Sequence, residues 1–225
     1  LLSGNLDAEE VEIEGVVVRS QRDELSLLTR DGVVRIASDD IYPLPTLGMG
    51  DEAVAALNGS VVRLRGVYAS SWDRSIGRVH PAELKLGSAT LAIDQAAPSN
   101  WFETPVVGAA DLLGFTSQSR ALERVKVKGV VLATRALECF LSDDGQSLRI
   151  YSADAGDLRP GDVIEAVGFP RPGAPSPFLL EAKVRKTGEA ALPVAKKIGA
   201  GDLPDAALDS TRVEIEVNQL AITPQ

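Results

Sequence analysis

The stretch Val125–Ile150, VKVKGVVLATRALECFLSDDGQSLRI, decides the fold, because Val11–Ile36 repeats its pattern as VEIEGVVVRSQRDELSLLTRDGVVRI. In each copy, alternating apolar residues lead to a glycine, Gly15 or Gly129, and a second apolar run follows. An Asp-Gly pair then precedes a segment ending in Arg-Ile. Alternation with period two is typical of strands, Asp-Gly of a hairpin turn, and a glycine within a long strand of a bend or bulge. Each copy therefore predicts three consecutive strands.

Two further strands are predicted in each unit. Gly59–Tyr68 (GSVVRLRGVY) corresponds to Gly161–Pro170 (GDVIEAVGFP), and final strands are expected at Val79–Gly87 and Phe178–Gly188. Five short strands per unit with almost no helix predict an all-β barrel or sandwich.

The connecting segments predict the domain organisation. We expect barrel 1 over residues 7–94, a structured linker with a short helix over 95–122, and barrel 2 over 123–192. Ser38–Asn58 is expected to be a long connection with a short helix at Asp51–Leu57. Residues 193–225 contain VEIEV at Val213–Val217, which matches the first strand of each unit. We interpret it as the start of a partial third repeat and expect it to pair with a sheet edge. An exposed edge could also support an oligomer.

Charge and composition limit the partners. The 225 residues carry 32 acidic and 23 basic side chains, a net charge of −9, which is expected to be repelled by a phosphate backbone. We therefore expect nucleic acid to be disfavoured. No stretch approaches the roughly 20 apolar residues of a membrane span. The single Cys139 is compatible with cytoplasm or periplasm.

No catalytic, cofactor-binding or metal-binding set is predicted, and we expect the chain not to be an enzyme. His80 is the only histidine and has only Glu83 near it as a second ligand. Cys139 lies in an apolar run and is interpreted as a core residue. The run Asp143-Asp144-Gly145 lacks the later ligands of a calcium loop and is interpreted as a turn.

Aromatic residues beside cations suggest one speculative ligand-binding patch. Proteins that bind single strands stack bases on exposed rings above a basic groove. Trp72 and Arg74 lie in one loop, close in sequence to Arg63 and Arg65, and these four residues form the predicted patch. The structural alternative is that Trp72 covers the open end of the first barrel. Trp101-Phe102 is expected to pin the linker to a barrel. Five cations are expected to form a solvated positive face on the second barrel: Lys126, Lys128, Lys183, Arg185 and Lys186.

The second unit resembles a known family of modules. The residues that carry the resemblance are Val125–Val131, Asp144-Gly145, Leu158–Phe169 (LRPGDVIEAVGF) and Gly188–Pro193. They resemble tandem OB-fold modules in the extracytoplasmic regions of bacterial multidomain sensor histidine kinases. The resemblance implies two tandem small OB-like five-stranded barrels.

The resemblance also implies a function. We expect a non-enzymatic sensing or interaction region of a larger, membrane-anchored bacterial protein in the periplasm or outside the cell. Its partner would be an unknown small ligand or protein. The alternative is a module that binds single-stranded nucleic acid or oligosaccharide, which an OB fold permits. A hydrolase would be reconsidered if His80 lay beside buried acids.

Overall fold

The computed structural model describes residues 8–20, 24–37, 41–42, 55–69, 72–73, 75, 78–79, 83–113, 122–171, 173 and 176–217. The chain divides into two units, residues 1–100 and 101–225. Strands dominate the described part of both, which confirms the all-β class.

The described residues of the first unit form eight strands. They are β1 (Glu10–Ser20), β2 (Glu24–Thr29), β3 (Gly32–Ala37), β4 (Ile41–Tyr42), β5 (Val61–Ala69), β6 (Trp72–Asp73), β7 (Arg78–Val79) and β8 (Glu83–Gln95). Their hydrogen-bonded order is β3-β2-β1-β5-β8, β8 returns to β3 in parallel, and β4 adds to β8. The core inside includes Ile13, Val17, Leu25, Leu27, Ile36, Val62, Leu64, Tyr68 and Leu86.

The second unit contains a closed five-stranded barrel. Its strands are β9 (Val125–Arg135), β10 (Glu138–Asp143), β11 (Gln146–Tyr151), β12 (Asp162–Arg171) and β13 (Phe178–Glu189), in the order β10-β11-β13-β12-β9. The inward residues alternate with outward ones and include Val127, Val131, Cys139, Leu141, Leu148, Ile150, Ile164 and Leu179. This closed barrel confirms an OB-like fold. That the two units are repeats of one another stays a prediction, as do the predicted domain boundaries.

A glycine precedes the point at which the first strand of each unit changes partner. Val16 pairs with both Val61 of β5 and Leu28 of β2, and Val130 pairs with both Val163 of β12 and Ser142 of β10. Gly15 and Gly129 therefore occupy the bends that allow one strand to serve two sides of a small barrel, as the sequence predicts.

A one-turn helix, α1 (Ala109–Leu113), packs against the second barrel. Ala109 and Leu112 belong to its core, and the Ala109 N–H donates to the Asp143 carboxylate at 2.8 Å. Before it, Trp101–Glu103 forms a 3-10 turn, and a further 3-10 turn, Ala153–Asp157, lies between β11 and β12.

The carboxyl-terminal segment forms a sheet of its own. β14 (Lys196–Ile198) and β15 (Val213–Ile215) pair in parallel, with 3-10 turns at Ala200–Asp202 and Ala206–Leu208 between them. The sequence predicts that this strand pairs with an existing sheet edge. It does pair, but its partner is β14, a short strand of the connecting segment. That β15 begins a third repeat stays a prediction.

Two local boundaries differ from the sequence prediction. β8 does not end at Gly87 but continues to Gln95, because residues 91–95 pair with the start of β5 beyond an irregularity opposite Arg65 and Val67. In the first hairpin, Gly32 pairs with Thr29, so the turn residues are Arg30 and Asp31. The helix predicted at 51–57 lies mostly outside the described residues.

Candidate ligand-binding face of the second barrel

A tight hairpin brings polar and aromatic side chains of β10 and β11 together on the outside of the second barrel. Asp144 and Gly145 connect the strands with φ values of 49° and 85°, a left-handed turn that these residue types tolerate. The two-residue turn fixes the register, which pairs Phe140 with Arg149. Cys139 and its alternate neighbours point inward, so Phe140 and Arg149 lie on the outer face.

Two more rings complete this face. Tyr151 lies two residues beyond Arg149 on β11, and parallel pairing with β13 places Phe178 opposite Arg149. The Tyr151 and Phe178 rings meet edge to face with centroids 5.5 Å apart. The Arg149 guanidinium carbon lies 5.7 Å from the centroid of the Phe140 ring. All four side chains are half-buried, and we call them, Phe140, Arg149, Tyr151 and Phe178, the aromatic face.

Arg149 has an unused donor within this face. Its Nη2 donates to Asp209 Oδ1 at 3.1 Å, whereas its Nε is buried without a hydrogen-bond partner among the described residues. Hydrogen bonding with Tyr151, followed by the charge of Asp209, raises the pKa of Arg149 above its usual value. A permanent cation with a free Nε–H can bind a second anionic oxygen.

Part of the positive surface expected on β9 and β13 is covered by the linker. Lys126 donates through Nζ to the Phe102 carbonyl oxygen at 2.7 Å, and Arg185 lies 4.3 Å from the centroid of the Phe102 ring. Arg185 also pairs with Glu165 at 2.7 Å. These contacts agree with the expected pinning role of the linker aromatics.

Two further cations lie over the Trp101 ring. Arg124 and Lys183 lie 4.4 Å and 4.5 Å from the centroid of its ring, and Arg124 is also 5.0 Å from the Phe169 ring. Burial lowers the pKa of Arg124 to about 10. Lys186, the outermost cation expected on this surface, pairs with Asp162 at 2.7 Å. The second barrel therefore uses most of this positive surface for its own structure.

The sequence-predicted patch is brought together only in part. Arg63 and Arg65 lie side by side on β5, where Arg63 pairs with Asp94 at 2.9 Å and Arg65 with Glu10 at 3.1 Å. Hydrogen bonding with Asp94 raises the pKa of Arg63. Trp72 lies on β6, which pairs with β7.

Arg74 lies outside the described residues, as does His80. The patch formed by Trp72, Arg74, Arg63 and Arg65 stays a prediction.

Sequence reasoning missed the aromatic face, although the signal was present. A two-residue Asp-Gly turn determines which residues face each other, and counting back from Asp144-Gly145 places Phe140 beside Arg149. The corresponding arginine of the first unit, Arg35, pairs with Ser26 on one side and Glu83 on the other. The first unit therefore offers no ring at these positions.

Two other features, metal-binding clusters and membrane-spanning helices, are absent from the described residues. The described residues contain no group of three or more His, Cys, Asp or Glu side chains that could hold a metal ion. Nor does any helix within those ranges have the length and apolar character needed to span a membrane.

Comparison with known proteins gives likeness of structure only. No family model and no curated protein matches the chain. A structure of the Ifi202 HINa domain with 20-bp dsDNA matches at 10% identity, covering 83% of this chain and 98% of that one, with a TM-score of 0.30. A replication protein A heterotrimer bound to ssDNA matches at 10% identity, 88% and 60% coverage, and a TM-score of 0.29. The Drosophila Unr CSD456 structure matches at 12% identity, 76% and 60% coverage, and a TM-score of 0.24. Scores this low carry no argument about what this chain does.

The expectation that net charge disfavours nucleic acid is wrong. Two of the solved structures reported above are complexes with DNA, and a net charge does not describe the charge of one face. The physical error was to apply a sum over 225 residues to a single face of one barrel, where Arg149 lies among three rings. Net charge is not a ground for excluding nucleic acid.

Proposed function

We propose that the second barrel binds single-stranded nucleic acid across the aromatic face. The observation that supports this is the grouping of three half-buried rings around Arg149, with Phe140 and Tyr151 on the second and third strands of the barrel and Phe178 on the adjoining fifth strand. In OB folds, the face formed by these strands binds oligonucleotides and oligosaccharides.

The chemistry of the face favours a single strand over a duplex. Bases of a single strand can leave their stack and lie on aromatic side chains, with roughly 1–3 kcal/mol per stacked base. A duplex buries those base faces between its own pairs. Phe140 and the Tyr151–Phe178 pair provide two stacking surfaces, and Arg149 between them supplies the charge for a phosphate.

Two other readings have less support. An oligosaccharide would also lie against the rings, and its hydroxyl oxygens accept hydrogen bonds from a guanidinium, but a neutral sugar provides no negative charge to pair with Arg149. A sensing role in an exported, membrane-anchored signalling protein rests on the sequence resemblance, and no contact among the described residues favours it.

The test is fluorescence anisotropy with labelled oligothymidylate and the full chain at low and moderate salt. We expect saturable binding that Phe140→Leu weakens roughly five- to a hundredfold, since leucine keeps apolar bulk but removes the flat ring. Lys128→Gln, on an exposed position of β9, is the control and should leave binding unchanged. Equal binding by wild type and Phe140→Leu, or oligosaccharide binding without DNA binding, would contradict the proposal.

A further inference from the structure

One segment after the barrel reaches back to the aromatic face. Residues 205–212, which we call the arm, begin with a capped 3-10 turn and are anchored at their end. At the start, the Asp205 side chain accepts from the Ala207 N–H at 2.9 Å and caps the 3-10 turn. At the end, Arg212 donates to the Pro193 carbonyl oxygen at 2.6 Å, and β15 then pairs with β14. The middle of the arm contacts the barrel through Asp209, which accepts from Arg149.

The middle of the arm places a carboxylate on Arg149. Asp209 Oδ1 lies 3.1 Å from Arg149 Nη2, and the two side chains are 22% and 33% exposed. Asp209 Oδ2 accepts from the Ser210 hydroxyl at 3.3 Å. Asp209 engages only one guanidinium nitrogen, and the buried Nε has no hydrogen-bond partner among the described residues. A planar guanidinium binds best to two oxygens of one anion, and Asp209 supplies only one of them.

We propose that Asp209 occupies the place of a ligand phosphate and that the arm regulates the aromatic face by competing for Arg149. The inference rests on the proposed function. A phosphate that displaces Asp209 can engage both Nη2 and Nε, so exchange replaces one charged hydrogen bond with two.

The strength of the contact suits an exchangeable competitor. A partly exposed ion pair is weak, on the order of 0.2–1 kcal/mol, which corresponds to roughly a 1.5- to fivefold population of the closed arm over the open one. Apparent affinity falls by the fraction of molecules in the binding-competent state. The open fraction is one part in one plus that ratio, so the arm should lower affinity for a single strand by about 2.5- to sixfold.

The test compares two single-charge variants of the full chain with labelled oligothymidylate. Asp209→Asn removes the negative charge that pairs with Arg149. Glu214→Gln removes one charge from β15, where Glu214 is 62% exposed and 4.0 Å from Lys197. We expect Asp209→Asn to bind about 2.5- to sixfold more tightly than wild type, and Glu214→Gln to bind as wild type does. In an Arg149→Gln background, the Asp209→Asn effect should vanish.

A second measurement needs no variant. Amide hydrogen exchange at residues 208–211 of wild type should accelerate when oligothymidylate is bound, because the arm is released. If wild type binds, but Asp209→Asn binds no more tightly than Glu214→Gln and exchange in the arm is unchanged, the regulatory inference is overturned while the proposed function stands. If neither wild type nor Asp209→Asn binds, both are overturned.

Discussion

At the scale of single residues, Gly129 illustrates how closely the barrel strands approach one another. A Cβ at this position would collide with the Ser142 carbonyl oxygen and would lie 2.9 Å from Leu141 Cγ. Gly15, at the matching bend of the first unit, would place a Cβ 3.1 Å from Leu27 and Leu28 atoms. Because the Ser142 neighbour is backbone, it cannot move aside without disturbing the β9–β10 pairing.

We therefore expect Gly129→Ala to destabilise the second unit by about 1–3 kcal/mol, as overpacking of a tight core does. The measurement is labelling of the buried Cys139 thiol after incubation in graded urea, which reports on the second barrel alone. Gly188→Ala on β13 is the matched control, because a Cβ there meets nothing within 4 Å. Equal midpoints for the two variants would contradict the close approach at Gly129.

Cys139 itself supports a prediction about pH. Burial, followed by the negative charge of Asp162, raises the pKa of the Cys139 thiol from its usual 9.0 to about 12. The unfolded thiol ionises from about pH 9, whereas the folded thiol keeps its proton up to about pH 12. The contribution of this thiol to the unfolding free energy is therefore fully present below pH 9 and is lost as the pH rises from 9 towards 12.

Between pH 8 and pH 10, wild type should lose about 1.4 kcal/mol more of its unfolding free energy than Cys139→Ala. Because the alanine cavity is present at both pH values, its cost cancels in this comparison. Urea unfolding in a Trp72→Phe background, in which the fluorescence comes from Trp101, measures the second unit. Parallel pH profiles for the two proteins would show that the thiol does not contribute.

At the scale of elements, the 3-10 turn Trp101–Glu103 is the clearest test of packing outside the barrel. Its Trp101 ring lies near Arg124 and Lys183, and each such cation–π contact contributes about 0.5–1 kcal/mol at partly exposed sites. Trp101→Leu should lower the stability of the second unit by about 1–2 kcal/mol in the Cys139 labelling assay. Val106→Ala, a 55% exposed position of the same segment, should have little effect. A Trp101→Leu protein as stable as wild type would mean that the linker aromatics do not hold the segment.

Sequence patterns predicted the elements better than their partners. Period-two alternation located β9, β10, β12 and β13, because each strand has one face in the core. The partner of β15 could not be predicted in this way, because alternation shows that a segment forms a strand but does not show which strand it pairs with. Similarly, Gly87 suggested an end to β8, but the long β5 opposite it offered hydrogen bonds up to Gln95.

At the scale of the whole molecule, the candidate site depends on geometry that composition conceals. The net charge of −9 hides local pairing: Arg63 and Arg65 of β5 pair with Asp94 and Glu10. On β9 and β13, contacts with linker aromatics or acids are made by Lys126, Lys183, Arg185 and Lys186. Arg149 differs from these cations because it donates to one oxygen of Asp209 through Nη2 while its Nε–H has no hydrogen-bond partner among the described residues. A sum of charges cannot reveal this, although the hairpin register could have placed Arg149 beside Phe140.

This charge distribution predicts an unusual salt dependence for single-strand binding. Affinity for single strands falls with a slope of about −0.7 per phosphate contact in a plot of log K against log salt. Because Arg149 is the cation of the aromatic face, we expect a slope of about −0.7, far shallower than that of a basic-groove protein. Most of the binding free energy would then come from stacking on Phe140 and on the Tyr151–Phe178 pair.

Arg149→Gln should reduce the slope by about 0.7, while Phe140→Leu should weaken binding without changing the slope. Anisotropy titrations at several salt concentrations measure both quantities, and a wild-type slope steeper than about −3 would place the binding surface elsewhere, on a face with several unpaired cations.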